Sequence, residues 1–154
     1  MTDVIIRTAN LNDMNTLLEF EQYIISVERS FDKHLKDEPI SYYDLKELIL
    51  SENAKVIVAE MDNNIVGSGY ADIKESKPYM EHEYHSYLGF MYVAPAYRGK
   101  GINKLILNSL KRWSKTKNVH HLYLDVYADN QAAIRAYEKA GFESSLLEMR
   151  IALD

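Results

Sequence analysis

Between Tyr87 and Trp113 the hydrophobic period of the chain changes once, across the stretch Val93-Ala94-Pro95-Ala96-Tyr97-Arg98-Gly99-Lys100-Gly101-Ile102. Upstream lies a near-continuous apolar run, Tyr87 to Val93. Downstream, Ile102, Leu105, Ile106, Leu110 and Trp113 recur at helical spacing, so the stretch predicts strand, glycine-bearing turn, helix. Such a turn leaves the first backbone N–H groups of the helix unpaired at the positive end of its dipole, which suits an anion. Gly99 and Gly101 let the backbone approach a bulky anion such as pyrophosphate without intervening Cβ atoms. Arg98 and Lys100 add positive charge at the same place. Two glycines alone would read as a plain tight turn; the flanking strand, helix and basic residues favour a phosphorylated cofactor. A P-loop is a poorer fit, because Gly99-Lys100-Gly101 is not followed by Ser or Thr and the longer glycine spacing is missing.

The rest of the chain predicts one domain, residues 1–154, large enough to bury a core. A net charge of −5, from 18 basic and 23 acidic residues, argues against nucleic-acid or anionic-membrane binding as a general property. The absence of cysteine excludes disulfides, thiolate metal sites and a cysteine nucleophile. No apolar stretch approaches the ~20 residues of a membrane helix, and the N-terminus does not read as a signal peptide, so the expected location is the cytoplasm. Twelve tyrosines are a surplus that suits pocket walls or a dimer interface, although packing at the core edge accounts for most of them.

The elements follow in a legible order. Val4 to Arg7 reads as a strand, and a helix opens near Asn12 or Asp13. A charged loop spans Phe31 to Ile40, and a second helix follows a Ser41/Asp44 capping box. Lys55 to Glu60 and Ile65 to Ile73 pair as a hairpin through Asp62-Asn63-Asn64. Tyr84 to Val93 is a third strand and His121 to Tyr127 a fourth after the glycine-turn helix. Asp129 or Asn130 caps a last helix that stops at Gly141, and Leu146 to Leu153 closes as a strand. The order β-α-α-β-β-β-α-β-α-β predicts an α/β fold: a mixed sheet with helices on both faces.

Two segments together resemble the GCN5-related N-acetyltransferase (GNAT) superfamily. The family's cofactor turn, R/Q-x-x-G-x-G/A, has its register at Ala96-Tyr97-Arg98-Gly99-Lys100-Gly101. Its second signature, N-x-x-A-x-x-x-Y-x-x-x-G-F, matches the run from Asn130 through Ala133, Tyr137 and Gly141 to Phe142. The resemblance is sharp from about Leu88 onward. One position departs: Ala96 stands where the family has Arg or Gln, so the grip on pyrophosphate falls to backbone N–H groups and Arg98.

The resemblance implies acetyl-CoA as cosubstrate, held between the strands ending at Val93 and Tyr127. It places the pantetheine arm on the backbone near Met91 and Val93, and the pyrophosphate on N–H groups from Tyr97, Arg98, Gly99, Lys100, Gly101, Ile102 and Asn103. Asn130, Ala133, Ile134 and Tyr137 share one helix face, with Asn130 and Tyr137 about 10 Å apart. The family gives the tyrosine matching Tyr137 the role of general acid toward the leaving thiolate, a transfer that pKa values of about 10 and about 8.5 allow. A helix tyrosine packed on the sheet is the alternative from sequence alone. The glutamate that many members carry as base is Tyr87 here; Glu83 and His85 are the nearest candidates, directly or through water, and each alone also reads as a solvated charge at a strand edge. Asp125 orients substrate or makes a structural hydrogen bond. No metal is expected, because His82 and His85 would point to opposite faces of a strand.

The implied activity is N-acetyl transfer from acetyl-CoA to a primary amine of a small molecule or peptide, by direct attack without an acyl-enzyme. Acidic residues in the front half (Asp32, Asp37, Glu38, Glu81, Glu83) favour a cationic acceptor, though Lys33, Lys36 and Lys77 share those loops. A homodimer is compatible with the family. The rival reading, supported by the missing strand glutamate, is a non-catalytic acyl-CoA-binding module.

Overall fold

The computed structural model describes residues 3–154; the first two positions of the expected 1–154 domain lie outside the described residues. The elements are β1 (Ile5–Thr8), a 3₁₀ turn (Leu11–Asp13), α1 (Met14–Glu28), α2 (Leu45–Leu50), β2 (Ala54–Met61), β3 (Asn64–Glu75), β4 (Tyr84–Val93), a second 3₁₀ turn (Pro95–Tyr97), α3 (Ile102–Thr116), β5 (Leu122–Tyr123) and α4 (Gln131–Lys139). The strands form one sheet in chain order, antiparallel from β1 to β4 and parallel between β4 and β5. This is the expected mixed sheet with helices on both faces.

Strand alternation divides the core. Val56 and Val58 of β2 face Leu17 and Phe20 of α1 and Leu45 of α2, together with Tyr70 and Phe90. Ile57 and Ala59 face Ile102, Ile106 and Leu110 of α3, together with Val66, Ala71 and Leu88. Close approach of α3 depends on Gly69: a Cβ there would meet Met91 Sδ at 2.7 Å and Ile106 Cγ2 at 2.8 Å. The buried hydroxyls of Ser86 and Ser114, 2.7 Å apart, tie β4 to α3. Asp62 and Asn63, at φ 53° and 64°, make the expected hairpin turn between β2 and β3.

α1 opens at its expected place, with Asp13 as N-cap residue, and the 3₁₀ turn before it carries a capping box of its own: Asn10 Oδ1 accepts from Asn12 N–H, and Asp13 Oδ2 accepts from Asn10 N–H. Asp13 also pairs with Arg7, whose guanidinium holds the carboxyl below its ordinary range. Ser41 forms no capping box with Asp44. Asp44 alone caps α2 by accepting from Glu47 N–H, while the Ser41 hydroxyl donates to Glu21.

The last two strands change most. The expected strand from His121 to Tyr127 is reduced to Leu122–Tyr123, because its ladder with β4 covers only Ser86↔Leu122 and Tyr87↔Tyr123. Just beyond, Phe90 lies in the left-handed region (φ 59°) and the β3–β4 register shifts between Ser68 and Tyr70. β4 bends there and runs on to Val93 without β5 beside it. The expected closing strand Leu146–Leu153 does not form, since β5 is too short to offer it a ladder. Leu146, Leu147, Met149, Ile151 and Leu153 are 89%, 68%, 84%, 84% and 86% exposed. This segment is tied to the body by Arg150, which donates to Asp32 at 2.7 and 3.0 Å.

Candidate active site

The glycine-bearing turn is built as the sequence predicts. Gly99 and Gly101 have φ of 78° and 79°, a conformation that disfavours any side chain, and a Cβ at either would project into open space. Gly101 is the N-cap of α3 and supplies no capping side chain, so the first N–H groups of the helix remain free for a ligand. Tyr97 packs against the α3-side core and Ile102 is buried within it, so Ile102 can serve a ligand only through its backbone. Asn103 is half-buried, and Lys100 is exposed beside the helix start.

Arg98 also has structural partners. Its Nε donates to the Val93 carbonyl at 2.8 Å, and its guanidinium lies 5.8 Å from the centre of the Tyr92 ring. It therefore clamps the end of β4 to the turn, occupying one of the backbone groups assigned to the pantetheine arm. Met91 packs its sulfur toward Gly69, on the α3 side.

On α4, Ala133, Ile134 and Tyr137 form the half-buried face, as the spacing predicts. Asn130 is the N-cap, with Oδ1 accepting from Ala133 N–H at 3.2 Å, so its side-chain oxygen has a structural partner. The Tyr137 ring meets Phe142 edge-on at 5.7 Å, and burial pushes its phenol above the ordinary value. At neutral pH the hydroxyl keeps its proton.

The base candidates separate. His85, near the start of β4, has Nδ1 2.9 Å from the Ser76 hydroxyl, and burial lowers its pKa, leaving it neutral near pH 7. Glu83 lies outside β4, exposed, with its carbonyl accepting from Ser76 N–H. The expectation that His82 and His85 point apart fails, because His82 sits in the bend before β4 and strand alternation does not apply. Its ring centre is 6.4 Å from that of His85 and stacks on His121 at 3.8 Å. Among the described residues no group of three or more His, Asp or Glu is placed to hold a metal. Tyr87, at the family's glutamate position, donates its hydroxyl to Asp125 at 2.9 Å.

One carboxylate escaped the sequence reading. Glu28, the last residue of α1, is half-buried, and its charge acts on Tyr42, Tyr43, Tyr87, Tyr127 and Tyr137. Tyr70 lies over the bare backbone of Gly89, where a Cβ would meet its ring at 2.6 Å. The one signal in the sequence was the tyrosine surplus, which did not say around what the rings gather.

A mixed sheet opened between β4 and β5, with an uncapped glycine turn at the mouth and a tyrosine-bearing helix beyond, defines an α/β module whose turn is free to take an anion. The chain belongs to the acetyltransferase (GNAT) family, whose model matches residues 18–142. An N-alpha-acetyltransferase of Saccharolobus solfataricus is 26% identical over 149 residues, covering 92% of this chain and 81% of that protein. A mutant of a Bacillus halodurans protein shares the fold with a TM-score of 0.87 at 20% identity, over 97% of this chain and 99% of that one. A Clostridium acetobutylicum predicted acetyltransferase, solved with acetyl-CoA, does so with a TM-score of 0.73 at 21% identity, over 96% of each chain. The chain spans only 27% and 26% of two further relatives. These are an uncharacterised Mycobacterium leprae protein, 31% identical over 68% of this chain, and the streptothricin acetyltransferase of Streptomyces lavendulae, 38% identical over 32% of it.

Proposed function

We propose that residues 1–154 form a single acetyl-CoA-dependent N-acetyltransferase domain that acts on a primary amine. The observation that carries this reading is the free N-terminus of α3 behind Gly99 and Gly101, beside the bend at which β4 loses its neighbour. These residues fit a pyrophosphate: the donors are free, the space over the glycines is open, and Arg98 and Lys100 supply charge. Bound there, the cosubstrate supplies an activated thioester.

The residues then divide the work. Tyr97 to Asn103 hold the pyrophosphate. Backbone at Met91 and Val93 aligns the pantetheine arm once Arg98 releases the Val93 carbonyl, and the face of Asn130, Ala133 and Tyr137 lies along it. The amine nitrogen bonds to the acetyl carbon, the carbon–sulfur bond breaks, and the departing sulfur takes the Tyr137 proton. His85, neutral and half-buried, is the better placed group to accept the amine's proton through water; Glu83 is the second candidate.

The test follows free thiol in a mixture of the protein, acetyl-CoA and a panel of primary amines. Release with at least one amine is expected. Release with none would leave an acyl-CoA-binding module, the reading that Tyr87 at the glutamate position favours. Run across pH, the same assay is expected to show His85→Ala altering the acidic limb of the rate profile; profiles for His85→Ala and Glu83→Ala that both match the natural chain's would remove both from the mechanism.

We also propose that the chain pairs with a second copy through its C-terminal segment. Five large apolar side chains exposed on one unpaired stretch are unusual for a monomer, and the same stretch of a second copy would cover them. Sedimentation is expected to give a dimer that falls to a monomer when the chain is cut after Phe142. A monomeric intact chain overturns the pairing. No helix among the described residues is long and apolar enough to cross a membrane.

A further inference from the structure

We propose that Glu28 is the acceptor-binding carboxylate, and that it selects an aliphatic ammonium by holding it within a ring of tyrosines on the α1–α2 side of the sheet. The inference rests on the acetyl-transfer reading above and names its substrate class.

The inward carboxylates of this region differ in one respect. Asp13 has Arg7. Asp32 has Arg150 and the Tyr127 hydroxyl, at 2.7 and 3.0 Å. Glu21, buried in α1, accepts from the Tyr42 and Tyr43 N–H groups at 2.8 Å each. Glu28 has no Lys, Arg or His within ion-pair distance among the described residues. Burial raises its pKa and Asp32 adds to the effect, while the Tyr42 hydroxyl opposes it. A half-buried carboxylate without a cation is costly to keep, and a cationic ligand removes that cost.

A second polar group beside it is also incomplete. The Tyr42 hydroxyl is buried without a well-formed hydrogen bond; it approaches the Glu28 carboxylate closely enough to favour its charged form, and its oxygen keeps its acceptor capacity. A primary ammonium carries three N–H donors, enough to serve the Glu28 carboxylate and the Tyr42 oxygen together. The surrounding rings favour the same occupant. Tyr43 packs edge-on against both Tyr42 and Tyr70, at 5.7 and 5.5 Å, and such rings suit a cation and its alkyl stem. At the exposed rim Asp125, fixed by the Tyr87 hydroxyl, offers a second carboxylate to a second cation. The geometry therefore points to a diamine or polyamine. Tyr137 lies within reach of the same Glu28 charge, so the bound amine sits near the acid that completes transfer.

The experiment is calorimetric titration of the intact protein with 1,4-diaminobutane, independent of turnover. The natural chain is expected to bind it, and Glu28→Gln to bind it at least 10-fold more weakly with acetyl-CoA affinity unchanged, which checks the fold. Tyr42→Phe is expected to weaken diamine binding a few-fold without lowering the melting temperature. Equal affinity in the natural chain and Glu28→Gln, or no binding by the natural chain, overturns the proposal. Diamine binding that depends on Glu28 without thiol release from any amine overturns the transferase reading alone.

Discussion

Tyr137→Phe is expected to lower turnover by about 100-fold or more while leaving acetyl-CoA affinity unchanged. The substitution removes one hydroxyl and keeps the ring that packs edge-on against Phe142, so the α4 face stays intact. In the proposed mechanism the lost group is the proton donor, and general acid catalysis contributes on the order of 10²–10⁴ in rate. Burial raises the Tyr137 pKa, so the group remains protonated through neutral pH, the state the proposed proton transfer requires. Stopped-flow measurement of thiol release, paired with a binding titration, separates the two effects. Full turnover in the variant would remove Tyr137 from the mechanism, and a parallel loss of acetyl-CoA binding would assign it to positioning.

Glu21→Ala is expected to destabilise the domain by about 3 kcal/mol, since two half-buried N–H groups lose a buried, charged acceptor. For a chain of this size that is roughly a 10 °C fall in melting temperature. Glu21→Gln tests the reason. A single oxygen of Glu21 accepts from both Tyr42 and Tyr43, and a glutamine carbonyl can do the same. The amide is therefore expected to restore most of the stability. Thermal unfolding of the two variants is the measurement; equal losses would show that charge, rather than acceptor geometry, is what α1 supplies to this loop.

The parts legible in the sequence were those fixed by local chemistry. The turn at Gly99 and Gly101 needs a backbone conformation that glycine allows, and Asp62-Asn63 needs the same of the hairpin. The Tyr84–Val93 strand and the α4 cap at Asn130 announced themselves by pattern and residue type. What escaped depends on neighbours distant in the chain. Leu146 to Leu153 has the composition of a strand, but a strand also needs a ladder, and β5 has none to offer. Ser41 looked like a cap until Glu21, twenty residues earlier, claimed its hydroxyl. Arg98 promised charge for a ligand, but nothing in its neighbours announced that its Nε also holds the Val93 carbonyl. Glu28 gave no signal, because its setting comes from tyrosines on separate elements.

The bend in β4 is made by Phe90, a residue with no intrinsic liking for positive φ. Its ring is buried among Leu17, Phe20 and Val58, and its carbonyl accepts from the buried Ser68 hydroxyl at 2.9 Å. A glycine at this point would be a hinge, free to straighten. A phenylalanine is a wedge, turned only while the core around it is complete. The gap between β4 and β5 thus belongs to the packing beneath it: what keeps the site open is the solidity of the protein interior, not the looseness of its surface.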